Sequence, residues 1–312
     1  MGIAPESFTK LSQHIGYFPH RTNVGLVEAS DGLYIIDSGD SDQDGKDIVK
    51  TCSNIFPEKK IKAIINTHSH LDHSGGNNYI IKNTGAQVWT SAKEAAILSN
   101  PDLMGVIYWG AICFKDLREQ GFVPEKGNEV QRILTEGTIE IDSDISLKCI
   151  SLPGHYFEQT GLLFYDKADG KSVFFLGDSC FGSQMLKKYW IPYMLDPVKF
   201  RESITKIENQ DADFYVPGHG EVCDRKRISA ITELNFMVTL ETESLLLNIL
   251  KKGPATHETL LRKAAEFAGF NLKLSQFVLI GTTFRSYLSS MADRGLVSYI
   301  IENNEMLWCL KS

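Results

Sequence analysis

Apolar and polar residues alternate in short runs along most of the chain, and many of the runs end on a histidine or an aspartate. Asn23–Ala29 and Leu33–Asp37 are rich in β-formers and are joined by Ser30-Asp31-Gly32, a pattern that predicts a hairpin. Asp44–Phe56 has helical periodicity, and Ile61–Asn66 reads as a buried strand that runs straight into a histidine- and glycine-rich loop at Thr67–Asn77. Further strands are expected at Gln87–Thr90, Ile139–Asp142, Ile145–Leu152, Gly161–Tyr165, Ser172–Leu176 and Asp213–Val216. Helices fit between them at Ser91–Leu98 and Val198–Asn209, with a long one over about Lys226–Lys252. Strands interleaved with helices predict a layered α/β sheet with its site at the strand ends.

The texture changes after Lys252. Gly253-Pro254 breaks the long helix, and Thr256 is a plausible N-cap for a helix running through Phe267. An amphipathic stretch at Ser275–Arg294 follows, then β-like runs at Val297–Ile301 and Met306–Leu310 around a Glu302-Asn303-Asn304-Glu305 turn. Helix, helix, hairpin is a winged-helix pattern. The chain is therefore divided into a catalytic domain (1–225), a connecting helix (226–252) and a winged-helix-like domain (253–312).

With 312 residues, 43% of them hydrophobic and 23% charged, the chain can build a sizeable core, which excludes a disordered or coiled-coil protein. The net charge of −7 argues against bulk attraction to nucleic acid or acidic membranes. From residue 251 onward eight Lys/Arg face five Asp/Glu, about +3, while 24 against 34 leaves the first 250 residues at about −10. Six cysteines without a CxxC spacing read as reduced thiols. The first twenty residues hold no apolar stretch of signal-peptide length, and the longest apolar run, Leu103–Phe114, is too short to cross a bilayer. A cytoplasmic protein without a membrane partner is expected.

Thr67-His68-Ser69-His70-Leu71-Asp72-His73 gathers three imidazoles and a carboxylate, the ligands that zinc-like divalent ions take. Three strand ends add one ligand-type residue each: His155 after Leu152-Pro153-Gly154, Asp178 after Leu176-Gly177, and His219 after Pro217-Gly218. Any one of these alone reads as a turn former or a satisfied polar residue. Together they give seven ligands, enough for two adjacent ions with a shared carboxylate.

HxHxDH followed by three ligand-bearing strand ends resembles the metallo-β-lactamase superfamily over roughly residues 10–250. The resemblance implies an αβ/βα sandwich, here with a C-terminal winged-helix-like helical domain. It implies that His68, His70 and His155 hold one metal, that Asp72, His73 and His219 hold a second, and that Asp178 bridges them. Asp37 resembles the family's early buried aspartate behind the metal loop, an ordinary strand-end turn being the alternative. Two divalent ions about 3.5–4 Å apart acidify a bridging water, and the resulting hydroxide attacks a carbonyl or phosphoryl centre while Asp72 accepts a hydrogen bond from it. Zinc is the first choice of metal, with iron and manganese as alternatives.

Two aromatic stretches, Leu103–Phe114 and Phe181–Leu195, either wall a hydrophobic cleft or serve core packing or a dimer interface. Cys180 and Cys223 read as packing residues. The glutathione-binding signatures of glyoxalase II are not visible, and the run from Val216 to Glu221 looks like the β-lactamase-like branch with a C-terminal winged helix, some of whose members cut single-stranded RNA. Ser275–Arg294 carries only Arg285 and Arg294 as basic residues, which favours packing or dimerisation over groove recognition. The reading is a dinuclear metal-dependent hydrolase for a small thioester, ester or lactone, with a homodimer compatible. A single-strand endoribonuclease and a non-catalytic metal-dependent nucleic-acid-binding protein are the alternatives.

Overall fold

A computed structural model describes residues 2–269 and 271–311. Met1 of the expected catalytic domain, and Phe270 and Ser312 of the expected C-terminal one, lie outside the described residues. Two mixed sheets face each other. The first has seven strands side by side in chain order: Thr9–Lys10, Ile15–Phe18, Val24–Ala29, Gly32–Ile36, Ile61–Ile65, Gln87–Thr90 and Arg132–Ile133. The second runs Cys223–Asp224, Phe214–Pro217, Lys171–Gly177, Thr160–Asp166, Ile145–Ser151 and Gly137–Glu140.

Period-2 alternation builds the layers. Tyr34 and Ile36 point into the core between the sheets, where they meet Phe164, Val173, Phe175 and Val216 from the second sheet. Leu33 and Ile35 point the other way, onto Ile48 of the helix Asp42–Ile55 and Ile80 of the helix Asn77–Thr84. On the far side, Phe174, Leu176 and Tyr215 pack against Ile207 of the helix Pro197–Glu208 and Ile228 of the helix Arg225–Leu250. Helix, sheet, sheet, helix is the expected sandwich. These strands are apolar on both faces because both faces are covered.

Local chemistry sets the boundaries. The first long helix begins at Asp42, two residues before the expected start, because Ser41 caps it by accepting from Asp44 N. Asp224 likewise caps the 26-residue helix by accepting from the amides of Lys226 and Arg227. Thr256 caps the helix His257–Ala268 as expected. In the terminal hairpin, Val297–Glu302 pairs with Glu305–Leu310, and Asn303 and Asn304 supply the two positive φ angles of its turn. The paired strands Thr9–Lys10 and Ile15–Phe18 were not expected; they form the edge of the first sheet. No helix among the described residues is long and apolar enough to cross a membrane.

The segment after Gly253 does not stand off. Leu260, Leu261, Ile280, Phe284, Tyr287 and Leu288 share one core with Phe181, Met194, Phe200 and Ile204. Phe284 is fully buried there, so Phe284→Ala is expected to lower the unfolding free energy by about 3–5 kcal/mol in urea titration. A loss below about 1 kcal/mol, the range of a surface change, would contradict this shared core.

Candidate metal centre

The strands Gly32–Ile36 and Ile61–Ile65 run parallel, so Asp37 and Thr67 emerge at the same end of the first sheet. Ile145–Ser151, Lys171–Gly177 and Phe214–Pro217 also share a direction, and they deliver His155, Asp178 and His219. The stretch from Thr67 is not all loop: Leu71–Ser74 forms one helical turn, which carries Asp72 and brings the His73 ring back to 4.1 Å from that of His68.

All seven expected ligands converge. Candidate ligand atoms of His68, His70 and His155 lie within 4.8 Å of one another, as do those of Asp72, His73 and His219, and those of His68, His73 and Asp178. Asp178 stands between the two sides: its Oδ1 is 3.4 Å from His73 Nε2, and its Oδ2 is 3.4 Å from His219 Nε2 and 3.6 Å from His155 Nε2. His219 Nε2 is 3.1 Å from Asp72 Oδ2, and His155 Nε2 is 3.1 Å from His70 Nδ1.

Four of the five imidazoles are gripped from behind. Asp37, at φ 58°, accepts from Thr67 N (2.8 Å), Thr67 Oγ1 (2.9 Å) and His73 Nδ1 (2.8 Å). The Thr67 hydroxyl accepts in turn from His68 Nδ1 at 3.1 Å. Backbone carbonyls take the Nδ1 protons of His155 (Tyr193, 2.8 Å) and His219 (Arg21, 2.5 Å). These bonds assign the tautomers and leave the Nε2 atoms facing the centre. Asp37 therefore supports the metal loop rather than merely ending a strand.

Three polar residues that the motifs did not flag complete the frame. Gln159, fully buried, accepts from Asp178 N at 3.1 Å. Asn66 donates to the His73 carbonyl at 2.9 Å. Glu94 accepts from Ser69 N and Oγ, at 2.9 and 2.6 Å. Their partners are backbone groups and a serine far away in the chain, so spacing carries no trace of them. Gly218 is obligatory: a Cβ there would strike the Asp178 carboxylate and come within 2.7 Å of the His73 ring.

Nε2 of His68, His70 and His73, and Oδ1 of Asp178, are buried without a hydrogen-bond partner. An unsatisfied buried polar atom costs about 1–3 kcal/mol, so a cluster of them among imidazoles and a carboxylate fits a site that binds cations. The donor set, imidazole nitrogen plus carboxylate oxygen, is what a divalent ion takes. The residues fit.

Electrostatics divides the histidines. Burial, reinforced by neighbouring imidazoles, drives the pKa values of His68 and His70 well below the usual range. For His73 burial also acts downward, but Asp37, Asp178 and Asp72 outweigh it and push the pKa up to about 10. His219 is likewise raised, burial being overcome by Asp178 and Asp72. The Asp178 carboxyl is held far below the ordinary range by His219 and His73, against the desolvation that opposes it.

A cleft of about 240 Å³ opens over the ligands. Tyr108, Phe181, Tyr189 and Tyr193 line it, so both aromatic stretches contribute, whereas Trp190 packs into the C-terminal core. Trp109 and Phe114 are more than a third exposed. The helix Leu274–Asp293 adds Gln276, Leu279 and Ile280 as a further wall, a contribution no motif announced. Cys180 and Cys223 are buried in the apolar layer behind the second sheet, where desolvation raises both thiol pKa values, that of Cys223 to about 11.

The chain belongs to the metallo-beta-lactamase superfamily, whose family model matches residues 17–219. It is 26% identical over 176 residues to a probable metallo-hydrolase of Methanocaldococcus jannaschii, a match spanning 55% of this chain and 75% of the relative. Its fold is similar to that of a beta-lactamase domain protein from Burkholderia ambifaria (TM-score 0.72, 15% identity, 99% of this chain and 96% of the other). A metallo-beta-lactamase family protein from Thermus thermophilus gives a TM-score of 0.72 at 15% identity, over 96% of this chain and 100% of that one. The chain is thus a member of this superfamily whose clustered His and Asp residues could bind metal.

Two predictions follow from the site. His73 and His219 must lose protons before they ligate, so filling the site releases about two protons near pH 7, and apparent metal affinity rises from pH 6 to 9. Calorimetry in buffers of different ionisation enthalpy reads this directly, and proton-neutral binding would contradict it. Gly218→Ala is expected to abolish tight metal binding with little loss of secondary structure; native metal content by plasma emission would count against the close packing described.

Proposed function

We propose that the chain is a dinuclear metal-dependent hydrolase of small carbonyl substrates, namely a thioester, ester or lactone. The observation that carries this reading is the small cleft itself, with five of the seven candidate ligands (His70, Asp72, His155, Asp178 and His219) on its floor and aromatic and aliphatic side chains on its walls. His68, His70 and His155 would hold one ion, Asp72, His73 and His219 the other, and Asp178 both. Zinc is the first choice, with iron or manganese as alternatives. Bound there, divalent ions supply Lewis acidity and lower the pKa of water.

The protein's own groups do the rest. Asp72 reaches the cleft, and its carboxyl is held low by His73 and His219 against desolvation, so it stays ionised and can accept a hydrogen bond from an attacking water. Tyr108, Tyr193, Leu279 and Ile280 exclude bulk water and offer an apolar wall to an acyl or aromatic part. Lys188 is the one ammonium group lining this cleft among the described residues.

The division into a catalytic domain (1–225), a connecting helix (226–252) and a winged-helix-like domain (253–312) is part of this proposal, supported by the helix, helix, hairpin order. In our reading the C-terminal piece packs and shapes the cleft. Arg294 is spent on Glu243, with both guanidinium nitrogens within 3.1 Å of the carboxylate, and Arg285 lies 3.9 Å from Glu258. That leaves little basic surface on the helix that would enter a groove, which weighs against the endoribonuclease and the non-catalytic nucleic-acid-binding alternatives.

A metal-replete screen over p-nitrophenyl esters, acyl thioesters, bis-p-nitrophenyl phosphate and a labelled RNA oligomer is expected to show chelator-sensitive turnover of the carbonyl substrates. Asp178→Ala should lose one metal equivalent and nearly all of that turnover. Leu279→Ala should raise KM roughly tenfold for the longer acyl chains with little change in kcat, since about 1.5 kcal/mol of apolar contact is removed. Cleavage of RNA with no ester or thioester turnover would replace this reading with the nuclease one.

A further inference from the structure

Glu94 lies in the first turn of the helix Ala92–Ser99, three residues after the N-cap Ser91, and its side chain is fully buried. Burial pushes its pKa up, and no cation is paired with it among the described residues. A carboxyl group in such a place is costly unless its oxygens are used. Both are. Oε2 accepts from Ser69 N at 2.9 Å and Ser69 Oγ at 2.6 Å, while Oε1 accepts from Glu158 N at 2.9 Å.

The two groups it joins belong to different loops from different sheets. Ser69 lies between His68 and His70, at the end of the strand Ile61–Ile65. Glu158 lies three residues after His155, between the strands Ile145–Ser151 and Thr160–Asp166. Glu158 returns the grip: its Oε2 accepts from Lys93 N at 2.9 Å, and its Oε1 is 3.3 Å from Lys93 Nζ. The reciprocal pair thus clamps the start of one helix to the loop after His155. The other side of the centre is anchored without Glu94: Asp37, which also holds Thr67, accepts from His73, and the Arg21 carbonyl accepts from His219.

We propose that Glu94 is a positioning residue: it spans the two sheets, fixes His68 and His70 relative to His155, and thereby sets the affinity of that trio for its ion independently of Asp72, His73 and His219. The inference rests on the metal-binding reading of the site.

Glu94→Gln tests it, because the shape is kept and one acceptor becomes a donor. Whichever way the amide turns, its NH2 must face either the Ser69 donors or Glu158 N–H, so one end of the strut breaks. Titration of the full-length protein with Zn2+ against a competing chelator is expected to show one equivalent weakened by about 10–100-fold and the other within about twofold. Titration with Co2+ should show an altered visible absorption band for the weakened equivalent alone. Should Glu94→Gln not fold, Ser69→Ala removes only the hydroxyl donor and is expected to weaken the same equivalent by about 2–10-fold. A lowered melting temperature with both affinities and both Co2+ bands unchanged would make Glu94 merely structural and overturn the proposal, as would equal weakening of both equivalents. The two-ion reading is judged separately on the unmodified protein: if it takes up one equivalent only, that reading fails, and a fall in that one affinity in Glu94→Gln still supports Glu94.

Discussion

The constraint on which the architecture depends is the crowding of five imidazoles and the Asp178 carboxylate into a space that solvent barely reaches, with the partly exposed Asp72 at its mouth. Buried ring nitrogens repel or desolvate one another unless each is held at a fixed angle, and no ligand can hold itself. The fold answers by gripping every imidazole assigned a proton on Nδ1 through that atom: Asp37 for His73, Thr67 for His68, and the carbonyls of Tyr193 and Arg21 for His155 and His219. The sandwich makes this possible because the parallel strands of both sheets end at the same edge, which brings groups nearly 200 residues apart into contact.

Charge completes the arrangement. His68 and His70, pressed together, stay neutral, whereas His73 and His219 keep their protons because Asp178 and Asp72 face them. A centre that is half imidazole and half imidazolium-carboxylate is built to exchange protons for a divalent ion. The glycine beside it, Gly218, is the steric counterpart of that demand, since a methyl group would occupy the space of the Asp178 carboxylate.

The ligands were legible in the sequence because each follows a strand and a turn, a local signature that survives without any knowledge of tertiary contacts. The sandwich was legible from local sequence too: the unbroken apolar runs Leu33–Ile36 and Val173–Leu176 report two covered faces. The supports were not. Glu94, Gln159 and Asn66 act through backbone amides and carbonyls, and a backbone partner leaves no mark on composition or spacing. Thr9–Lys10 and Ile15–Phe18 escaped because short edge strands with mixed composition carry almost no periodic signal. The contribution of Leu279 and Ile280 to the cleft escaped because it depends on how the last long helix docks. Thr282 donates to the Tyr108 carbonyl at 2.6 Å, and Thr283 accepts from Met194 N at 3.2 Å, so that helix ties together both aromatic walls.

Anomalous diffraction from crystals soaked in a divalent metal, recorded at that metal's absorption edge, addresses the central claim most directly. The account requires two peaks, one within reach of His68, His70 and His155 and the other within reach of Asp72, His73 and His219, with the Asp178 carboxylate between them. A lone peak outside these groups, or none at saturating metal, would contradict it.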